Sequence, residues 1–100
     1  MENTDQNQPY SWILGIDVSK ESIDACLVRQ ADGQLFESNF HNNLSGFRHL
    51  KAWCKQMQCE CDHHTLCCME HTGLYTRLLV HYLISREVAV WLESSLQIKR

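Results

Sequence analysis

One hundred residues, 44% of them apolar, are enough for one domain with its own core and exclude a disordered chain. A formal charge of −3 excludes a protein that holds nucleic acid by bulk positive charge, so any such contact needs a local patch, a partner or a further segment. No apolar run could span a bilayer and no secretory signal opens the chain, which reads as cytoplasmic, without membrane partners, its six cysteines thiols. Residues 1–11 are polar and read as a flexible tail. Trp12–Val18 is a nearly continuous apolar run, the pattern of a strand buried on both faces. Ser22–Gln30 is a second strand, Ala31-Asp32-Gly33 a turn, and Gln34–Phe40 an alternating, half-exposed third strand, giving an antiparallel meander. Ser45 caps a helix to about Met57, with Phe47, Leu50, Trp53, Cys54 and Met57 on one face and Arg48, Lys51 and Lys55 opposite. Gln58–His64 is a polar connection, and Thr65–Met69 a short strand ending at Glu70. Thr72 caps a second helix from about Gly73 to Arg86, with Leu74, Tyr75, Leu78, Leu79, Tyr82 and Leu83 as its apolar face, and Val88–Leu92 is a fifth strand. A helix between the last two strands favours pairing them in parallel. The fold expected is α/β, a ribonuclease H-like (RuvC-like) mixed five-stranded sheet with flanking helices.

Two acids close two of the apolar runs: Asp17 in Trp-Ile-Leu-Gly-Ile-Asp-Val-Ser-Lys and Glu70 in Leu-Cys-Cys-Met-Glu-His-Thr-Gly. Alone, a strand-end Asp is often satisfied by backbone N–H groups or by a neighbour such as Lys20. In this strand order, however, the first and fourth strands are neighbours, so their carboxylates converge. Hard divalent ions take carboxylate oxygens and keep several waters, and pairs of such ions serve phosphoryl transfer. Magnesium, with manganese as the alternative, is therefore the expected cofactor.

Gly15-Ile16-Asp17-Val18-Ser19-Lys20 and Met69-Glu70-His71-Thr72-Gly73-Leu74-Tyr75 resemble the two N-terminal signatures of DEDD transposases of the IS110 insertion-sequence type, relatives of the Piv-type invertases. Between them Phe40, Asn42 or Asn43, Gly46, Leu50 and Trp53 follow the family's order, and the likeness spans about Trp12 to Arg100. His71 replaces the small residue usual before Thr-Gly. The resemblance implies that residues 12–100 are the N-terminal part of a RuvC-like catalytic domain that cuts and rejoins DNA strands. It implies a tetrad of Asp, Glu, Asp and Asp. Asp17 and Glu70 match the first two as catalytic metal ligands, and the last two are expected past Arg100, in a domain truncated here. Asp24 and Asp62 match neither. The resemblance further implies DNA and an element-encoded guide RNA as partners, a C-terminal region with a nucleophilic serine that Ser94 and Ser95 do not match, and a homo-oligomer when intact.

Lys20 is placed to touch a phosphate or orient Asp17. Arg48, Lys51 and Lys55 read either as a solvated outer face or as a nucleic-acid contact. Cys59, Cys61, His63, His64, Cys67 and Cys68 are zinc-ligand types without the paired spacing of structural zinc sites. Cys67 and Cys68 read as small hydrophobes pointing to opposite faces of their strand, and Cys59, Cys61, His63 and His64 as an adventitious metal cluster at most. Val80 and Ile84, off the main helix face, are expected to await cover from a further region or a second protomer. Two other readings stand beside the transposase: a truncated remnant that only binds nucleic acid or a full-length partner, and an actin-like or sugar-kinase phosphotransferase, whose Gly-rich hairpin tip is here Ser19-Lys20-Glu21-Ser22.

Overall fold

The structure is a computed structural model that describes residues 10–61, 64–70 and 73–93. The elements are β1 (Trp12–Val18), β2 (Ser22–Arg29), β3 (Leu35–His41), α1 (Leu44–Gln56), β4 (Thr65–Glu70), a 3₁₀ turn (Gly73–Thr76), α2 (Arg77–Ser85) and β5 (Ala89–Glu93). They form one mixed sheet in the order β3-β2-β1-β4-β5, the ribonuclease H-like arrangement expected. β1–β2 and β2–β3 pair antiparallel, and β1–β4 and β4–β5 pair in parallel.

Both helices lie on one face of the sheet. Trp12, Leu14 and Ile16 of β1, Ile23, Ala25 and Leu27 of β2, and Cys67 and Met69 of β4 point there and share a core with Phe47, Leu50 and Cys54 of α1 and Leu79, Tyr82 and Leu83 of α2. Leu14, Ile23 and Leu27 are fully buried, each stabilising the fold by about 2 kcal/mol through transfer from water. β1 departs from the two-sided burial expected of it. Its burial alternates, because no described helix covers the face carrying Ile13, Gly15 and Asp17. That bare face is graded. In register across the sheet, Leu35, Val28, Ile13, Leu66 and Ala89 make an apolar row, and Glu37, Cys26, Gly15, Cys68 and Trp91 a mixed one.

The turn after β2 is fixed by chemistry that the sequence carries openly. Gly33 takes φ 74°, open to glycine without strain. Asp32 accepts two hydrogen bonds from Arg29, at 2.9 and 3.0 Å, and a third from the Gln34 N–H at 3.1 Å. The Arg29 guanidinium, first, and that backbone bond hold the Asp32 carboxyl down at about 2.

α1 begins two residues earlier than expected. Asn43, not Ser45, is its N-cap, its side-chain oxygen accepting the Gly46 N–H at 2.7 Å. Any Cβ at Gly46 would overlap the His41 backbone, so this first turn needs glycine. Both helices end alike. The Cys59 N–H bonds the Cys54 carbonyl and the Gln58 N–H the Lys55 carbonyl, while Val88 bonds Leu83 and Glu87 bonds Ile84. These are Schellman closures. Their left-handed positions hold Gln58 (φ 70°) and Glu87 (φ 64°) in place of the usual glycine.

The second helix is shorter than expected, because Gly73–Thr76 is a 3₁₀ turn. Three residues per turn there shift the phase that an unbroken α-helix would keep. Tyr75 and Leu78 are consequently exposed, Val80 packs against the core, and Ile84 remains exposed. The expected cap Thr72 lies outside the described residues; Thr76 holds the N-cap position with no side-chain cap bond.

Candidate functional site

Asp17 and Glu70 lie at the same level on neighbouring strands. Ile16 of β1 pairs with Met69 of β4, and each acid is the next residue along its parallel strand. Ile16 and Met69 are buried on the helix side, so strand alternation sends both acids to the bare face. Asp17 is exposed and Glu70 half-buried. Neither carboxylate makes a hydrogen bond or ion pair among the described residues. The structure therefore brings together, on adjacent strands, the two acids that the sequence singled out.

A third acid stands beside them. Asp24 of β2 is the register partner of Asp17. It accepts a hydrogen bond from Asn39 Nδ2 at 2.5 Å, on the strand beyond. An open trough of about 580 Å³ runs over this side, lined by Gly15, Asp17, Asp24, Cys26, Glu37 and Asn39 among others. Burial first, and then the Glu37 carboxylate, push the Cys26 thiol up. The adjacency of Asp24 was legible only through the hairpin register, which the Ser19–Ser22 turn sets.

Two carboxylates on one sheet face suit a hard cation that keeps most of its water. No group of three or more His, Cys, Asp or Glu side chains among the described residues is arranged to hold a metal ion.

Asn42 ties the flanks of the pair together. Its Nδ2 donates to the Ser19 carbonyl at 2.9 Å and to the Tyr75 carbonyl at 3.0 Å, and its N–H to the Glu21 carbonyl at 2.9 Å. Ser19 belongs to the hairpin tip that follows Asp17, and Tyr75 to the 3₁₀ turn that follows Glu70. Lys20 sits exposed at that tip.

The cysteines are not arranged as the sequence suggested. All six are thiols. Cys67 is buried and Cys68 half-buried, on opposite faces as expected. Cys59 and Cys61, expected on a polar connection, are buried in the core instead. The Schellman closure turns Cys59 back onto Cys54, and a left-handed Cys61 (φ 55°) follows. Cys54 shares hydrogen bonds with both thiols, and Cys59 Sγ lies 3.3 Å from Thr65 Oγ1. His64 is exposed, apart from these buried thiols, and Asp62 and His63 lie outside the described residues. Arg48 and Lys55 are exposed on the outer side of α1, with Lys51 half-buried between them.

No described helix is long and apolar enough to cross a membrane. A family profile described as Transposase, that of the IS110-type DEDD enzymes, matches residues 14–100. No curated protein matches the chain. Among solved structures, a Bacteroides thetaiotaomicron protein of unknown function with an actin-like ATPase fold is similar at 19% identity and a TM-score of 0.63. The match covers 82% of this chain and 32% of that one, so the chain spans about a third of that protein's length. At such identity the likeness shows the fold alone.

Proposed function

Because the chain belongs to the IS110-type DEDD transposase family, we propose that it is the N-terminal part of a RuvC-like catalytic domain, and that Asp17 and Glu70 are two of the acids at which DNA strands are cut and rejoined. The observation that carries this reading is the register. Two carboxylates with no partner among the described residues leave the same face at the ends of adjacent parallel strands. The two strands that carry them run side by side at a backbone spacing of about 4.8 Å, so two acidic side chains leave the sheet as neighbours.

Asp17, on the central strand, and Glu70 beside it would hold a divalent ion, magnesium or manganese, with the family's two later aspartates supplied from beyond residue 100. When bound, the ion supplies Lewis acidity to a phosphoryl group. The chain's own contribution is orientation: the sheet fixes the level of both carboxylates, and Asn42 fixes the segments that follow them. Lys20, at the hairpin tip, offers a charge to a phosphate next to the site. DNA is the substrate on this reading. A guide RNA, a C-terminal nucleophile and a homo-oligomer belong to the intact enzyme, and the hundred residues alone do not turn over DNA.

Manganese titration of the ¹⁵N-labelled chain tests the site without turnover. Amide signals around Asp17 and Glu70 should broaden first, and Asp17→Asn or Glu70→Gln should abolish the effect. Broadening centred on Glu60 or on the cysteines would overturn the assignment. DNA incision by the chain alone, lost in Asp17→Ala, would overturn the division of labour. The actin-like likeness favours a second reading, a nucleotide phosphotransferase. Its weakness is the hairpin tip Ser19-Lys20-Glu21-Ser22, which has no glycine to bring backbone N–H groups onto phosphates and adds an acid. Calorimetric titration with magnesium ATP separates the two.

A further inference from the structure

The acids leave the sheet on its bare face, and the helices cover the other. Where α1 and α2 meet, on the helix side, there is a groove of about 320 Å³ lined by Arg48, Lys51, Lys55, Glu60 and Tyr82. Arg86 of the α2 cap lies over the Tyr82 ring, 4.9 Å from its centroid, and borders the adjoining apolar hollow together with Lys51. The helical stripe visible in the sequence is thus one wall of a groove closed on its other side by Tyr82 of α2 and Glu60 of the connection after α1. Arg48, Lys51 and Lys55 make no ion pair or hydrogen bond among the described residues, with Glu60 or with any other acid. In a chain of net charge −3, three cations collected in one groove without partners among the described residues present charge to something outside.

We propose that this groove binds the phosphodiester backbone of a nucleic-acid segment other than the strand engaged at Asp17 and Glu70. Arg48 to Lys55 spans about 10.5 Å along the helix axis, at ~1.5 Å per residue. That matches the axial rise of about three nucleotides, at ~3.4 Å each along one strand. The Arg86 guanidinium, already stacked on an aromatic ring, keeps its edge N–H groups for a phosphate oxygen. The helix layer and the sheet separate the groove from the acids, so a strand bound at one does not reach the other without wrapping the domain. This assignment rests on the transposase reading for the kind of polyanion, and not on any catalytic role of the acids.

Fluorescence anisotropy of the full chain with labelled DNA and RNA duplexes of arbitrary sequence, in EDTA and across a series of NaCl concentrations, tests it. Four phosphate contacts, from Arg48, Lys51, Lys55 and Arg86, give a slope of log K against log salt of about −3.6, at ~0.9 per contact on a B-form duplex. The Arg48→Gln/Lys51→Gln/Lys55→Gln variant should bring the slope to about −0.9, and adding Arg86→Gln should bring it near zero. Arg77→Gln, which removes an exposed cation of α2 outside the groove, should leave it unchanged. The exposed-site double variant Arg48→Gln/Lys55→Gln, expected to lose about 1.8 of slope, serves if the triple does not fold. The tighter duplex identifies the source of the backbone. A slope unaffected by these variants, an equal loss in Lys20→Gln, or equal binding of polyglutamate overturns the proposal. EDTA removes the metal, so failure of the manganese experiment leaves this result standing, and a flat salt response leaves the metal reading standing.

Discussion

Replacing Asn42 removes two side-chain hydrogen bonds and nothing from the core. Both run from one amide group to carbonyls in segments far apart in the chain, Ser19 and Tyr75. Each such bond contributes about 1 kcal/mol net, so Asn42→Ala should cost ~1–2 kcal/mol, toward the lower end because both bonds are exposed. For a domain of this size that corresponds to a fall in melting temperature of about 4–16 °C. Asn42→Asp is the sharper probe. Its carboxylate only accepts, so at neutral pH it sets negative oxygen against two carbonyl oxygens and should cost more than alanine. Below about pH 4 the protonated acid can donate one bond again, and the gap between the variants should close. Urea unfolding of the three proteins at pH 7 and pH 4 reads both effects. Equal stability of the Ala and Asp variants at pH 7, or an alanine cost within a few tenths of a kcal/mol, would refute the tether.

Gln58→Gly and Glu87→Gly place glycine at left-handed helix ends and should each raise stability by about 1 kcal/mol in thermal melts. The Asp32 carboxyl is held below its ordinary value by Arg29, so the stability it lends the β2–β3 turn is full above its unfolded pKa and fades as pH falls toward about 2. Its carboxyl NMR signal should titrate in that range, and Arg29→Gln should return it toward the ordinary value. In thiol labelling only Cys26 and Cys68 should react in the native state. Burial, above all, pushes the Cys67 thiol up, and hydrogen bonds with Cys59 and Cys61 do the same for Cys54, so the four core thiols should react at the rate of unfolding.

The strands were legible because their signals are local. Trp12–Val18 was read to the residue, and the face carrying both acids follows from alternation once the first and fourth strands are neighbours. The start of α1 was missed because Asn43 and Ser45 are both good caps, and the structure spends exposed Leu44 to use the earlier one. The Schellman ends were silent because Gln58 and Glu87 carry no glycine signal at positions that favour it. The burial of Cys59 and Cys61 depends on that closure, so a polar-looking connection hid two core residues. Asn42 was visible as part of a family pattern. Its action on Ser19 and Tyr75 was not, because three separate segments must meet before the bonds exist.

The division of the two acids between β1 and β4 also orders their assembly in time. Short turns join β1, β2 and β3, so pairing within the meander can set Asp17 early. Glu70 arrives only when β4 closes onto β1 across about fifty residues, a closure costing ~2 kcal/mol more chain entropy than a four-residue turn. A ligand gripped by both acids has nothing to hold until that last docking step. It would then delay unfolding without hastening folding, acting as a latch on the finished sheet and not as a nucleus for it.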